Sequence, residues 1–238
     1  MLVGDMVGIP LPPTAINDGP PVTPRPSATV LLLRGADPWE LLLMRRPGGA
    51  DFAPGAYVFP GGSVHSEDAQ SPDEIRAAAV RELFEEVGIL LARRSGRIAR
   101  DADCRAVRSS VEGGATFTEA LRRRGLEPAF DRLALFTRWI TPARLSRRFD
   151  TRFFFARVPG GQVVEPQEGE VTDWLWVAPR RALDEGTLTL VYATRAVLES
   201  VADEPSAARL VARARRLKHV PVVEPRLVET ESGWQVVR

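Results

Sequence analysis

The run Arg81-Glu82-Leu83-Phe84-Glu85-Glu86-Val87-Gly88-Ile89 concentrates side chains that could do chemistry. On a helix, at about 100° per residue, Glu82, Glu85 and Glu86 fall within an arc of about 100°, so three carboxylates share one face. A helix gains nothing from this crowding: an acidic pair at i, i+4, such as Glu82 and Glu86, costs roughly 0.2–0.5 kcal/mol. A hard divalent cation would reverse that sign. Mg²⁺ takes carboxylate oxygens, keeps several waters and bridges to substrate phosphates, and a bound ion lowers the pKa of its water. The competing reading is a solvated acidic face. Gly61-Gly62 before the helix and Arg81 beside the glutamates favour the metal.

These residues need a helix, a close-approaching turn and a sheet. For the helix, Ser71 is the expected N-cap, Pro72 the first helical residue and Glu74 the capping-box partner, with Gly88 as the stop. Ala79, Val80, Leu83, Phe84 and Val87 form an adjoining apolar sector to lie on a sheet. A short strand, Ala56 to Phe59, runs into Pro60-Gly61-Gly62, where missing side chains let the backbone approach an ion or phosphate. Two apolar runs, SATVLLLR from Ser27 and WELLLMRR, read as a hairpin about Gly35-Ala36-Asp37-Pro38. The second run ends in Arg45 and Arg46, near the glycine turn and suited to substrate phosphate.

The stretch from Phe59 to Leu91 resembles the Nudix box, G-x5-E-x7-R-E-U-x-E-E-x-G-U, with U aliphatic. The match is complete from Arg81 to Ile89, and Gly61-Gly62 supply the opening glycines. The spacing is five residues longer than standard: six on from Gly62 is Asp68, and eight back from Arg81 is Asp73. Glu67, Asp68 and Asp73 are therefore all candidates for the first acid. The string LLLMRRPGGADFAPGAYVFPGG, with RWITP and RRFDTRFFFA further on, resembles the coenzyme A and acyl-CoA diphosphatase branch of the peroxisomal type. That branch tolerates an expanded box, although its signature expects arginine where this chain has Asp51.

The resemblance implies an α/β fold, a Nudix-type α/β/α sandwich with a mixed β-sheet. It implies Mg²⁺ or Mn²⁺ held by Glu82, Glu85, Glu86 and the Gly61 carbonyl, with Gly62, Arg45 and Arg46 at the substrate. Glu170, with Glu168 behind it, or a box glutamate such as Glu85 takes the proton from water, and Arg81 fixes the glutamates. The implied reaction is hydrolysis of the diphosphate in a nucleoside diphosphate linked to X. Coenzyme A or acyl-CoA leads as substrate, and NADH and ADP-ribose are alternatives. A Nudix-like sensor that binds without turnover would be expected to lose a box glutamate or carry a DNA-binding appendage; this chain keeps all three and has no basic recognition helix.

The remaining text organises as a proline-rich arm over residues 1–26, a domain over 27–204 and an extension over 205–238. Within the domain, residues 93–132 lack strand character and carry one expected helix, TFTEALRRRGLE, stopped by Gly125. Its Arg122, Arg123 and Arg124 are consecutive, so they are read as solvated. LALFTRWITP and FDTRFFFARV form a central hairpin, with Trp139 and Phe149 read first as core. Glu165, Glu168 and Glu170 precede a strand at Trp174 to Val177. Helices follow at about 180–185, 190–201 and 207–217, the second opposite the acidic helix, and a terminal hairpin turns near Ser232-Gly233.

The 238 residues are 44% hydrophobic, enough for a sizeable core, and 32 basic against 31 acidic residues leave a net charge of +1. No global field recruits nucleic acid or an anionic membrane, so any anion site must be local. Cys104, the sole cysteine, is read as inert. With no apolar run of spanning length and no basic-then-apolar leader, a cytoplasmic protein is expected, with a small-molecule substrate and a homodimer as its candidate assembly.

Overall fold

The computed structural model describes residues 15–50, 53–184, 186, 188–230 and 233–237. In chain order its elements are β1 (Arg25–Gly35), β2 (Trp39–Arg45), β3 (Tyr57–Val58), β4 (Gly61–Ser63), α1 (Glu74–Val87), β5 (Ala92–Arg94), β6 (Arg97–Ile98), α2 (Asp101–Glu112), α3 (Phe117–Arg123) and β7 (Glu127–Pro128). They continue with β8 (Ala134–Ile140), β9 (Phe149–Arg157), β10 (Asp173–Val177), α4 (Pro179–Asp184), α5 (Tyr192–Val201), α6 (Ala207–Arg215), β11 (Val222–Val223), β12 (Arg226–Thr230) and β13 (Gly233–Val237). Asp51, Phe52, Ser232 and the arm's Pro10, Pro12 and Pro13 lie outside the described residues.

The main sheet runs β10-β2-β1-β9-β8-β11 and is mixed: β1 lies parallel to β9 and β11 to β8, while β1–β2, β2–β10 and β8–β9 are antiparallel. Its central strands carry unbroken apolar runs, Val30–Leu33 in β1, Leu41–Met44 in β2 and Phe153–Ala156 in β9, because both faces are covered there. Alternation along β1 sends Val30 and Leu32 to one side and Leu31 and Leu33 to the other, and β2 divides Leu42 and Met44 from Leu41 and Leu43 in the same way. One side packs Ala79, Val80, Leu83, Phe84 and Val87 of α1. The other packs Ala196, Val197, Leu198 and Val201 of α5 and Leu210 of α6. The layering is α/β/α, with α5 opposite the acidic helix as the sequence predicts. Trp139 is in this second core, in edge contact with Phe153 and Tyr192.

β1 changes partner along its length. Its C-terminal half pairs with β2 (Leu33 opposite Leu41), and its N-terminal half pairs with β4 (Thr29 opposite Gly61). Val30 N–H bridges the change by donating to Pro60 O at 2.8 Å. This change of partner brings β4, with its two glycines, against α1.

Three expectations are corrected. β1 begins at Arg25, inside the stretch assigned to the arm, because parallel pairing with β9 starts at Arg25 opposite Phe149. Residues 93–132 do contain strands: β6-β5-β7 form a small separate sheet, and α2 precedes the expected helix α3. Those strands are two or three residues long, too short to show alternation in sequence. The N-cap of α1 is Asp73 rather than Ser71: the Asp73 carboxylate accepts from Arg76 N at 3.0 Å and is ion-paired with the Arg76 guanidinium. Ser71 Oγ accepts instead from Asp73 N at 3.3 Å, tying down the approach to the helix.

The expected helix α3 carries its capping box, Thr116 with Glu119, and Gly125 follows its end at φ 62°. Arg122, Arg123 and Arg124 are exposed. Among the described residues no helix is long and apolar enough to cross a membrane.

The cap assignment is testable by chemical denaturation. Asp73→Ala should lower unfolding free energy by about 1 kcal/mol, within the usual range for a lost N-cap. Ser71→Ala should cost clearly less. Equal losses, or a larger one at Ser71, would return the cap to Ser71.

Candidate functional site

Arg81 is the hub. Its side chain is 1% exposed, and its guanidinium donates to Asp68 (Nε to Oδ1 at 3.1 Å, Nη2 to Oδ2 at 2.8 Å), to Glu82 Oε1 and Glu85 Oε2 (both 2.8 Å), and to the Ser63 carbonyl at 2.9 Å. Burial alone would weaken its hold on the proton. Hydrogen bonding to Asp68 and the charges of Glu82, Glu85 and Asp68 more than offset that, and its pKa is raised.

The first acid of the motif is therefore Asp68, six residues after Gly62. It is 3% exposed, sits in a 3-10 turn at Asp68–Gln70 and also accepts from His65 N at 2.8 Å. Of the other two candidates, Asp73 caps α1 and Glu67 accepts from Thr118 N at 3.2 Å. The extra residues of the motif form the 3-10 turn and the approach to the cap, leaving both ends in place.

All three glutamates hold their protons more tightly than a free carboxyl. For Glu82 and Glu85 burial raises the pKa and the adjacent Arg81 pulls it back, with the Glu170 charge adding to the rise at Glu82 and those of Glu82 and Glu67 at Glu85. Glu86 is pushed well up, first by burial and then by Glu82, against the pull of the Gly61 N–H; Glu170 raises it further and Arg46 opposes. That N–H donates to Glu86 Oε2 at 2.7 Å.

The glycines are required by close approach. A Cβ at Gly61 would meet Ala28 O at 2.3 Å, and one at Gly62 would meet the Glu82 carboxylate at 2.5 Å. Backbone crowding thus requires glycine at position 61, whereas a side chain at position 62 would have to displace the Glu82 carboxylate. Of the expected arginines, Arg46 is felt electrostatically by Glu86, whereas Arg45 donates to Gly55 O at 3.2 Å and lies over the Tyr57 ring. The Tyr57 hydroxyl, which donates to Asp173 at 2.6 Å, has its pKa pushed up to about 12, chiefly by burial and then by Asp173.

Glu170 is exposed on the loop between β9 and β10, and its charge reaches Glu82 and Glu86. How that loop is docked was not legible from residue types or spacing. Glu165 N donates to Val87 O (3.0 Å) and Gln167 N to Glu86 O (3.1 Å), so the loop fills the C-terminal carbonyls of the acidic helix. Gln162, 8% exposed, clamps its other end through the Leu90 N–H and the Leu90 and Ala99 carbonyls. Cys104 is buried, and burial is the main cause of its thiol pKa being pushed up to about 11, as expected of an inert cysteine.

The donor set fits a hard cation. The recorded hydrogen bonds use one oxygen each of Glu82, Glu85 and Glu86, and three partly desolvated carboxylates beside one guanidinium carry surplus negative charge. Among the described residues no three acidic, histidine or cysteine side chains enclose an ion by themselves. A cation that keeps several waters needs only one or two carboxylates at once.

Residues 69–189 match the family model described as the NUDT19 Nudix domain. A Caenorhabditis elegans protein named putative nudix hydrolase 7 is 33% identical over 160 residues, covering 67% of this chain and 53% of its own length. The acyl-coenzyme A diphosphatases NUDT19 of Xenopus laevis and Gallus gallus are each 26% identical, over 62% and 67% of this chain and 54% and 62% of theirs. The chain thus spans little more than half the length of these curated relatives. A Nudix hydrolase structure from Alicyclobacillus acidocaldarius superposes with a TM-score of 0.67 at 28% identity, covering 80% of this chain and 96% of that one. With Glu82 and Glu85 held on Arg81 beside Glu86, the family-model match and a fold shared with the Alicyclobacillus Nudix hydrolase, the chain belongs to the Nudix hydrolase family and resembles its acyl-CoA diphosphatase branch.

Proposed function

We propose that this chain hydrolyses the diphosphate bond of a nucleoside diphosphate linked to a second group, with coenzyme A or an acyl-CoA as substrate. The observation that carries the reaction class is the buried Arg81 holding Glu82 and Glu85 beside Glu86, three carboxylates that all resist ionisation in the absence of a cation. Support for the substrate comes from the acyl-CoA diphosphatases among its relatives and from the residue 41–62 string that resembles that branch.

Glu82, Glu85 and Glu86, with the Gly61 carbonyl, would hold Mg²⁺ or Mn²⁺, which when bound neutralises phosphate oxygens and acidifies a water. The chain's own residues supply the rest. Arg81 orients Glu82 and Glu85 by charge-assisted hydrogen bonds and is a positioning residue. Glu170, on the docked loop, takes the proton from the attacking water, and Glu85, its carboxylate partly exposed, is the other acceptor within the cluster. Arg46 offers its charge to substrate phosphate next to Glu86, with Arg45 at the outer edge. Gly62 contributes by admitting the Glu82 carboxylate. Attack of water at one phosphorus releases two monophosphates: for coenzyme A, 3′,5′-ADP and 4′-phosphopantetheine. Within the proposed division into 1–26, 27–204 and 205–238, these residues all fall in the middle segment.

The substrate is tested by incubating the protein with Mg²⁺ or Mn²⁺ and, separately, coenzyme A, an acyl-CoA, NADH and ADP-ribose, identifying products by mass. Cleavage of the first two is expected. Turnover of NADH or ADP-ribose with coenzyme A untouched would reject the substrate and keep the reaction; no cleavage of any would reject both.

Glu86→Gln separates metal binding from stability. Turnover should fall at least about 100-fold, as expected for losing several kcal/mol of electrostatic stabilisation. In metal-free buffer the variant should melt higher than the parent at neutral pH. The folded protein holds the Glu86 proton more tightly than the unfolded chain, so the stability cost of ionisation is complete above the folded pKa, declines as pH falls below it and is gone by the ordinary value of 4.5. The advantage should therefore shrink as pH is lowered towards 4.5. A variant with full activity, or with an advantage that grows on acidification, would remove Glu86 from this role.

A further inference from the structure

A cavity of about 1060 Å³ opens between the small β6-β5-β7 sheet, the start of α2 and the end of β9. It shares no lining residue with the glutamate cluster. It meets β9 at Arg157, opposite Leu33 of β1, whereas the glycine turn meets β1 at Thr29, so the two sites are about 13 Å apart along that strand.

Five arginines line it: Arg94, Arg97, Arg100, Arg132 and Arg157. They come from two strands of a hairpin, a helix N-cap, a 3-10 turn and the end of a long strand, so no single periodic face explains them. The one acidic lining residue is Asp103, already paired with Arg94 at 3.1 Å. The lining thus carries +4, against +1 for the whole chain, leaving −3 (+1 less +4) for everything else. Arg157 donates to Gly35 O at 2.9 Å, while for Arg97, Arg100 and Arg132 no side-chain partner is recorded among the described residues.

Local structure maintains this concentration at a cost. Arg94 and Arg97 are directly opposite each other in the β5–β6 hairpin, an arrangement that like charges disfavour. The turn joining them needs positive φ at both central residues, and one of these is Ser95, at φ 48°. Leu91, Ile98, Leu126, Val158 and Pro159 supply an apolar floor without an aromatic ring on which a base could stack. A low-dielectric floor beneath several cations focuses their field on whatever enters. Guanidinium forks match phosphate oxygens two at a time.

We propose that this cavity is a binding site for a multiply phosphorylated small molecule, recognised through its phosphate chain and separate from the diphosphatase centre. It does not depend on that reading of the glutamates, because none of its residues belongs to them. The phosphate chain could be inorganic or could be carried by a nucleotide.

Calorimetric titration of the full chain with tripolyphosphate and with ATP, in EDTA at about 50 mM salt, tests it. Saturable binding is expected, weakening as salt is raised. Arg97→Glu/Arg132→Glu should weaken tripolyphosphate at least about tenfold, as loss of two charge-assisted contacts requires. Arg45→Gln/Arg46→Gln, which strips cations from the acidic site, should leave it within about twofold. Equal affinities for the two ligands would mean that the phosphates alone are read; tighter ATP would add a contribution from the nucleoside. Should the reversal variant fail to fold by its thermal melt, Arg97→Gln/Arg132→Gln carries the same comparison. No binding by the parent, undiminished binding by the lining variant, or loss in the Arg45/Arg46 variant would each overturn the proposal.

Discussion

A single buried guanidinium sets the geometry on which the rest of the site depends. Arg81 is almost wholly removed from water and is reached by Asp68, Glu82 and Glu85 together. Removing one partner from such a buried pair typically costs about 3–5 kcal/mol, since the charge left behind stays desolvated. The arrangement is also over-supplied with anions: three carboxylates meet one guanidinium, and Glu86 lies beyond its reach with only a backbone N–H and the charge of Arg46 in opposition. That excess distinguishes the cluster from a structural salt bridge, which would balance its charges.

The excess persists because backbone, rather than side chain, closes on it. Gly61 lets β4 approach the Ala28 carbonyl at a distance that no side chain would allow, and Gly62 leaves room for the Glu82 carboxylate. The C-terminal carbonyls of α1 are taken up by Glu165 and Gln167 of the loop that carries Glu170. The loop acid is therefore positioned by the same helix that bears Glu82, Glu85 and Glu86, so shifts of the helix carry both together. Gln162 extends this fixation to Leu90 and Ala99, beyond the helix end.

The sequence was legible where chemistry and period coincide. Glutamates at helical spacing, an apolar sector beside them and a glycine stop predicted α1 and its face, and uninterrupted apolar runs predicted strands covered on both sides. It was ambiguous where spacing alone had to decide. Counting from Gly62 reached Asp68 and counting from Arg81 reached Asp73, and only three-dimensional folding shows that the first meets Arg81 while the second caps the helix. Nothing in the sequence distinguished Ser71 from Asp73 as cap, since both residue types accept from backbone N–H groups. The short strands of residues 92–98 and 127–128 were illegible because two or three residues cannot display a two-residue period. The docking of the Glu170 loop uses backbone groups and one glutamine, so no charge pattern announced it.

Whether residues 93–132 form a movable lid or a fixed wall follows from what they touch. Phe117 of α3 lies against Phe84 of α1 with ring centroids 5.4 Å apart, and Val107 and Leu121 are wholly or almost wholly buried in the same core. Thr118 N–H donates to Glu67, the neighbour of Asp68, and Arg108 of α2 donates to Glu165 O in the docked loop. One helix of the segment thus braces the start of the acidic motif and the other braces the loop that approaches its end. A lid that opened would have to break core packing and both contacts, each next to a residue of the cluster. The segment is therefore a fixed wall, and its outer face, where the small sheet turns away from the glutamates, supplies the arginine-lined cavity.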